Sequence, residues 1–397
     1  MRIRRPRNIK KPGKKKKKEI LNHFCKTTGY HRKYAISLLS NWDKEEIIRI
    51  DNKCVRLKTG TKKRKSYSHR EREYDDDFQE ALIKIWEISD FMCGKRLRAY
   101  ISRAKVFLQR NEEFQFNQTI WNKLNKVSPA TIDRILKTER KKYQLKGKSL
   151  TKPGNLLKRS IPIKTFAEWN NAKPGFLEID LVGHEGGNAI GDFCYTLTVT
   201  DVATGWTIVR GIRNKARKWT VEALDCIIKI FPFPVLGIDS DNGGEFINAH
   251  LKNYCERNTI TFTRSRPYKK NDGCFVEQKN DIVVRRTAGY LRYDTDEELV
   301  ILNEMYDFVC PLVNFFHPSV KLIEKIRTGG KVKKIYDSPK TPLERVLESN
   351  DVSENDKRKL RMQENKSDPV KLQRKVEKYK DILQDISTRK NQRELNL

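Results

Sequence analysis

The chain has 397 residues, and its 83 Lys and Arg outnumber its 51 Asp and Glu, which gives a formal net charge of +32. This length predicts two to four domains, and an apolar content of 37% excludes a wholly disordered chain. A charge this large opposes compact folding unless a polyanion offsets it, which argues against an extracellular disulfide scaffold or an enzyme of acidic small molecules.

The positive charge is concentrated at the front of the chain. Residues 1–170 carry +27, whereas residues 171–290 carry +2 and residues 291–397 carry +3. Residues 1–18 alone hold eleven Lys or Arg. This basic tail is interpreted either as a solvated segment or as an arm that follows DNA or RNA phosphates, and both interpretations stay open.

Residues 19–60 are predicted to form a helix-turn-helix domain. Two short apolar segments flank a turn at Gly29, and the second segment opens with exposed basic residues. In a helix-turn-helix the start of the second helix contacts bases and phosphates. The candidate DNA contacts are therefore His31, Arg32 and Lys33, while an ordinary helical hairpin is the alternative.

A basic linker over 61–75 leads to a helical region over 76–145. The stretch 119–137 within it is predicted to be a second helix-turn-helix, because Ser128 and Pro129 form a cap and first-position pair before another apolar segment. Its outward-facing residues Ser128, Thr131 and Arg134 are candidate DNA contacts. Residues 146–170 are predicted to be a second basic linker.

From residue 171 the spacing of apolar residues changes, and segments with the spacing of strands alternate with segments that have the spacing of helices. Strands are predicted at 176–182, 193–200, 206–212, 235–238 and 260–263, and helices at 220–231, 244–256 and 274–290. This order predicts an α/β RNase H-like core over 171–320, a mixed five-stranded sheet with helices, preceded by all-α helix-turn-helix domains.

Three acidic residues stand out in this core: Asp180 within the first strand, Asp241 at the end of the fourth, and Glu277 early in the last helix. Buried carboxylates require protonation or a cation, and a converging set binds hard divalent ions through oxygen. Two such ions support phosphodiester chemistry. Glu178 and Asp239 lie two residues before the two aspartates; Asp241 is preferred because Asn-Gly follows it.

The motif Asp241-Asn242-Gly243, followed by Glu277 after 35 intervening residues, resembles the integrase-core DDE transposases of bacterial insertion sequences, which are similar to retroviral integrases. The flanking segments 266–268 (Arg-Pro-Tyr) and 314–318 (Asn-Phe-Phe-His-Pro) agree with this resemblance. The tandem helix-turn-helix front half is also typical of such transposases.

The resemblance implies two Mg²⁺ ions, with Mn²⁺ as a substitute, held by Asp180, Asp241 and Glu277 as catalytic metal ligands. It also implies hydrolytic nicking of element ends and 3′-hydroxyl attack on target DNA. Retroviral integrases place basic residues one and two turns after the glutamate; here Lys279 and Arg285 lie beside those positions and are candidate DNA contacts. Their zinc-binding domain does not carry over, because no His/Cys spacing matches it.

Residues 321–397 are predicted to be a basic C-terminal region with a small strand near 331–335. An apolar stripe there predicts either a short coiled coil or a solvated helix: Leu372, Val376, Tyr379 and Leu383. The eight cysteines are scattered singly, which predicts reduced thiols without a zinc site.

The expected partners are DNA, as element ends and target, and further copies of the chain, with no membrane and no small-molecule substrate. The expected location is the bacterial cytoplasm, associated with the nucleoid. Two alternatives stay open: an RNase H-type nuclease that cuts without joining, and a domesticated, catalytically silent DNA-binding protein.

Overall fold

A computed structural model describes residues 14–40, 42–50, 53–59, 73–142, 173–241, 243, 245–246, 248–264, 274–328 and 331–395. Most of the basic tail, both predicted linkers, Asn242 and the segment 266–268 lie outside the described residues. The chain divides into two compact units, 1–73 and 74–397.

The first unit combines a helix pair with a strand pair. The second helix packs on the first through Ala35, which is fully buried, and Gly29 adopts a positive φ of 72° in the turn between them. A two-stranded antiparallel hairpin then follows, which the all-α prediction for this part did not include. The elements are α1 (Lys14–Thr28), α2 (Arg32–Ser40), β1 (Trp42–Ile50) and β2 (Lys53–Thr59).

The second unit begins with the predicted helical region. The start of α6 is capped as expected, because Ser128 Oγ accepts from Thr131 N at 3.1 Å and Pro129 occupies the first turn. Gly94 lets α4 cross α6 closely, since a Cβ there would lie 2.3 Å from the Pro129 carbonyl oxygen. The helices are α3 (Asp76–Ile88), α4 (Gly94–Leu108), α5 (Gln118–Lys126), α6 (Pro129–Ile135) and α7 (Lys137–Arg140).

The core is a mixed five-stranded sheet in the order β5-β4-β3-β6-β7. The first three strands are antiparallel, and β6 and β7 run parallel to β3. This topology is the predicted RNase H-like fold. The strands are β3 (Phe176–Gly183), β4 (Tyr195–Asp201), β5 (Thr207–Ile212), β6 (Gly237–Ser240) and β7 (Thr261–Arg264).

In the described part of the core, five further helices accompany the sheet, and the last of them, with the π-helical turn that follows it, covers the open edge of β5. Asn314 accepts from Thr207 N at 2.9 Å and donates to Thr207 O at 2.7 Å; Asn303 makes the same pair of bonds to Gly211. These amides pair with backbone N–H and C=O groups of β5 that could otherwise form hydrogen bonds with a strand of another chain. The helices are α8 (Arg217–Ile230), α9 (Ala249–Arg257), α10 (Cys274–Lys279), α11 (Arg286–Ala288) and α12 (Asp296–Pro311), with a π-helical turn (Asn280–Arg285) after α10 and another (Leu312–Phe316) after α12.

The segment Asp296–Phe316 is long and apolar enough to cross a membrane by length and composition alone. Half of it is buried inside the protein, and Leu302, Met305 and Val309 belong to the hydrophobic core. It is therefore described here as a core helix.

The C-terminal region comprises a strand pair and three helices. The predicted apolar stripe packs against other parts of the same chain. Val376 and Leu383 are buried in the cluster around α12, and the Tyr379 ring stacks on the Phe308 ring with their centroids 5.7 Å apart. This packing is neither an intermolecular coiled coil nor a solvated face. The elements are β8 (Leu322–Thr328), β9 (Lys331–Tyr336), α13 (Pro342–Glu348), α14 (Glu354–Lys366) and α15 (Pro369–Leu395).

The helical region and the core, expected as separate domains, form one compact unit. Arg96 Nε donates to Pro318 O at 2.6 Å, and Arg103 Nε donates to Phe315 O at 2.9 Å. Arg103 also forms ion pairs with two glutamates of the C-terminal helices. Helix α4 is thus fixed to the segment that follows α12, across more than 200 residues of sequence.

Candidate active site

The parallel pairing of β3 and β6 brings carboxylates of both strands to one edge of the sheet. The register sets Glu178 beside Asp239, so Asp180 and Asp241 are adjacent at the carboxyl ends of the two strands. Helix α10 lies across this edge, since Val276 N donates to Glu178 Oε2 at 3.0 Å. Together they surround a cavity of about 80 Å³ lined by Glu178, Ile179, Asp180, Asp239, Ser240, Asp241, Val276 and Glu277.

Asp180 lies in this cavity and has a strongly raised pKa. Its carboxylate accepts from Leu181 N at 2.8 Å and from Asn280 Nδ2 at 2.6 Å. Burial raises the pKa of Asp180 to about 7, and the negative charges of Asp241 and Glu277 contribute in the same direction. The three predicted acids are therefore close enough to repel one another, which favours either a bound proton or a cation between them.

Glu178 and Asp239 form a deeper pair of acids, 2% and 1% exposed. Glu178 accepts a hydrogen bond from the α10 backbone at Val276 N. Asp239 Oδ1 accepts a hydrogen bond from Thr263 Oγ1 of β7 at 2.6 Å. Their hydrogen bonds connect the sheet to its neighbouring elements. Glu178 and Asp239 therefore stabilise this edge of the sheet. Asp241 and Glu277, by contrast, are exposed to solvent.

The turn after β6 is organised by Asp241 itself. Gly243 N donates to Asp241 Oδ1 at 2.8 Å, and a Cβ on Gly243 would lie 2.6 Å from Glu245 Cδ. Burial raises the pKa of Glu245, and Asp241 adds to the shift. The carboxylate of Glu245 therefore lies close to the turn that Asp241 organises.

The basic residues predicted near α10 face other surroundings. Burial lowers the pKa of Lys279 to about 7, and the neighbouring charges of Arg96 and Arg345 contribute. Arg285 lies over the Tyr290 ring at 5.0 Å. Among the described residues, Lys279 thus lies near the positive charges of Arg96 and Arg345, and Arg285 contacts Tyr290 of the core.

The predicted DNA contacts of the two predicted helix-turn-helix units lie on or just before α2 and α6. In α2 the side chains of Arg32 and Lys33 are exposed, as is His31 just before them. In α6, Thr131 Oγ1 is within 3.0 Å of Ser128 Oγ and accepts from Arg134 Nη2 at 3.1 Å. Each group is available at the surface of its own unit.

Asn280 was missed by the sequence reasoning, although its position three residues after Glu277 places it on the same side of a helix. It is the side chain that holds Asp180 from the α10 side. Thr263 was also missed, because nothing in the alternation of a short strand singles out a threonine as a carboxylate partner.

Among the described residues, no group of three His, Cys, Asp or Glu side chains is close enough to hold a metal ion as it stands. The donor set nevertheless has the chemistry that hard divalent ions prefer, since it offers carboxylate oxygens without thiol or imidazole. The mutual repulsion at Asp180 is the feature that a cation would relieve.

Comparisons with known proteins agree with this architecture. A family model described as Integrase core domain matches residues 170–270. Among solved structures, the chain is similar to the catalytic core domain of BIV integrase (18% identity, TM-score 0.30, covering 44% of this chain and 94% of that chain). It is also similar to the HTLV-2 integrase catalytic core domain in complex with magnesium, in its dimeric form (15% identity, TM-score 0.28, covering 37% and 90%).

One curated relative extends over most of the chain. The uncharacterized protein y4rM of Sinorhizobium fredii (strain NBRC 101917 / NGR234) is 37% identical over 331 residues, which cover 83% of this chain and 89% of that protein. The present chain therefore belongs to the same family as y4rM, and its RNase H-like sheet is an integrase core domain.

Proposed function

We propose that this protein is a DDE-type transposase that binds the ends of a DNA element, cuts them, and joins their 3′-hydroxyls to target DNA. The observation that carries the proposal is the convergence of Asp180, Asp241 and Glu277 on one cavity of an integrase core domain. The net charge of +32 also favours a polyanionic substrate with a phosphodiester backbone.

The three acids would hold two Mg²⁺ ions, or Mn²⁺ in their place. Bound ions of this kind activate an attacking water or hydroxyl and stabilise the leaving oxygen. Asp180, on the central strand, and the exposed carboxylates of Asp241 and Glu277 would form the donor set. Asn280 would orient Asp180 through the hydrogen bond at 2.6 Å and keep it ionised for this role.

The two helix-turn-helix units would recognise element ends. His31, Arg32 and Lys33 would contact DNA from α2, and Ser128, Thr131 and Arg134 from α6. Lys279 and Arg285 would contribute positive charge on the flank of α10. Joining two ends in one complex requires more than one active site, so we further propose a homo-oligomer on DNA in the bacterial cytoplasm, at the nucleoid.

The test is incubation of the full-length protein with labelled element-end DNA, a plasmid target and Mg²⁺. A transposase yields products in which the label is joined to the plasmid, and Asp241→Asn abolishes them. Cutting without joining would favour an RNase H-type nuclease. Binding without either reaction would favour the catalytically silent alternative, and joining that persists in Asp241→Asn would refute the assignment of the site.

A further inference from the structure

The strand pair β8–β9 is an exposed basic ribbon. Of the described elements, each of these strands packs substantially only against the other. Aliphatic side chains on it are open to solvent, with Ile323 65% and Val332 53% exposed. An isolated two-stranded hairpin is marginally stable in water, so a ribbon of this composition is expected to have a partner.

The base of the ribbon is firmly attached to the core. Lys321 N donates to Asp337 Oδ1 at 2.6 Å, and Asp337 N donates to Lys321 O at 3.0 Å. Lys321 Nζ donates to the carbonyl oxygens of Val202 and Ala203 at 2.9 and 2.7 Å. Arg345 holds Asp337 from the other side. The ribbon is therefore a fixed projection whose base has a defined position.

The charge of the ribbon indicates the chemistry of its partner. Residues 321–336 contain six Lys or Arg and one acid, Glu324. The register pairs Ile326 with Lys333 and Arg327 with Val332, so each face mixes cationic and aliphatic side chains. Phosphates and the apolar sugar and thymine-methyl surfaces of a DNA groove complement such a mixture, and a two-stranded ribbon fits the major groove.

The ribbon lies away from the carboxylate edge. Its base contacts the turn after β4, and Asp201 at the start of that turn pairs with Leu177 of β3. Leu177 precedes Asp180 by three residues, or about 10 Å along a strand. DNA bound by the ribbon would therefore run beside the site of cleavage rather than through it.

We propose that β8–β9 is a DNA-binding ribbon that binds duplex DNA away from the catalytic edge through Arg327, Lys333 and Lys334. Val332, on the same face as Arg327, makes an apolar contact within the groove. This proposal rests on the proposed DNA function and adds a contact region that neither the helix-turn-helix units nor the flank of α10 supplies.

The first test measures the affinity of full-length protein for a labelled duplex as a function of salt. The variant Arg327→Gln/Lys333→Gln/Lys334→Gln is compared with a control that removes three exposed cations of α14 and α15, Arg358→Gln/Arg361→Gln/Lys371→Gln. We expect the ribbon variant to bind roughly 10- to 100-fold more weakly near 0.15 M salt, with a salt slope reduced by up to about 3, and the control to lose less than about threefold.

The outcomes separate the two proposals. If the ribbon variant binds DNA as tightly as wild type, or no more weakly than the control, the ribbon proposal is wrong while the transposase proposal stands. If wild type binds no DNA at all, both fail. Because Arg327, Lys333 and Lys334 are exposed, unchanged circular dichroism and melting temperature are expected for both variants.

The second test locates the ribbon on DNA directly. A photo-crosslinking amino acid replaces Val332 in one protein and Met362 of α14, which is similarly exposed, in the other. We expect Val332 to crosslink to duplex DNA and Met362 not to. Crosslinking of Val332 to a second protein chain, independent of DNA, would show that the ribbon is a protein interface and would overturn the proposal.

Discussion

Replacing Asp180 with Asn should stabilise the metal-free protein above neutral pH and change its stability little at acid pH. The pKa of Asp180 rises from 3.8 to about 7 because the group is buried beside Asp241 and Glu277. Between about pH 4 and pH 7 the folded state retains a proton that the unfolded chain has lost, so the free energy of unfolding falls as pH rises through this window. A shift of about 3 units at 1.36 kcal/mol each is about 4 kcal/mol at most.

The assay is urea denaturation in EDTA at pH 5 and pH 8. The stabilisation by Asp180→Asn should be larger at pH 8 than at pH 5 by about 2–4 kcal/mol. Asp296→Asn is the control: a hydrogen bond from Arg213 lowers the pKa of Asp296, so this exposed group is ionised throughout the range. Equal effects of Asp180→Asn at both pH values would refute the reasoning about repulsion in the site.

Three further substitutions test separate contacts. Asn280→Ala removes a hydrogen bond that lowers the pKa of Asp180, so joining should fall about 10- to 100-fold and its pH profile should move to higher pH; an unmoved profile would contradict the positioning role. Asn314→Leu leaves the backbone N–H and C=O of Thr207 without partners at a sheet edge. The free energy of unfolding should fall by about 2–4 kcal/mol in urea denaturation. Arg103→Met breaks a partly buried pair of ion pairs and should cost about 3 kcal/mol, whereas no loss would show that the helical region and core are not coupled through it.

The sheet and the three acids could be predicted because their signals are local. Strands β3, β4 and β5 are compact apolar runs. Asp201 and Gly205 mark the turn between β4 and β5 in the sequence. The acids are recognisable by their order and spacing. Parallel pairing of β3 and β6 then follows from the fold, and it brings Asp180 and Asp241 to the same edge.

The rest depended on contacts that periodicity does not encode. The hydrogen bond from Arg96 to Pro318 joins residues 222 apart, so nothing local shows that the helical region packs on the core. The hairpin of β1 and β2 was missed because dense charges conceal its alternation. Asn280 bonds to Asp180 across 100 residues of sequence, so no local pattern marks it as a partner of that acid.

The central claim is that Asp180, Asp241 and Glu277 together catalyse DNA joining. The most direct test is the yield of joined product with Mg²⁺ for Asp180→Asn, Asp241→Asn and Glu277→Gln, each compared with Asp225→Asn on the surface of α8. The account predicts a loss of at least about 1,000-fold for each of the three, with retained end binding, and near wild-type joining for the control. Substantial joining by any of the three would contradict it.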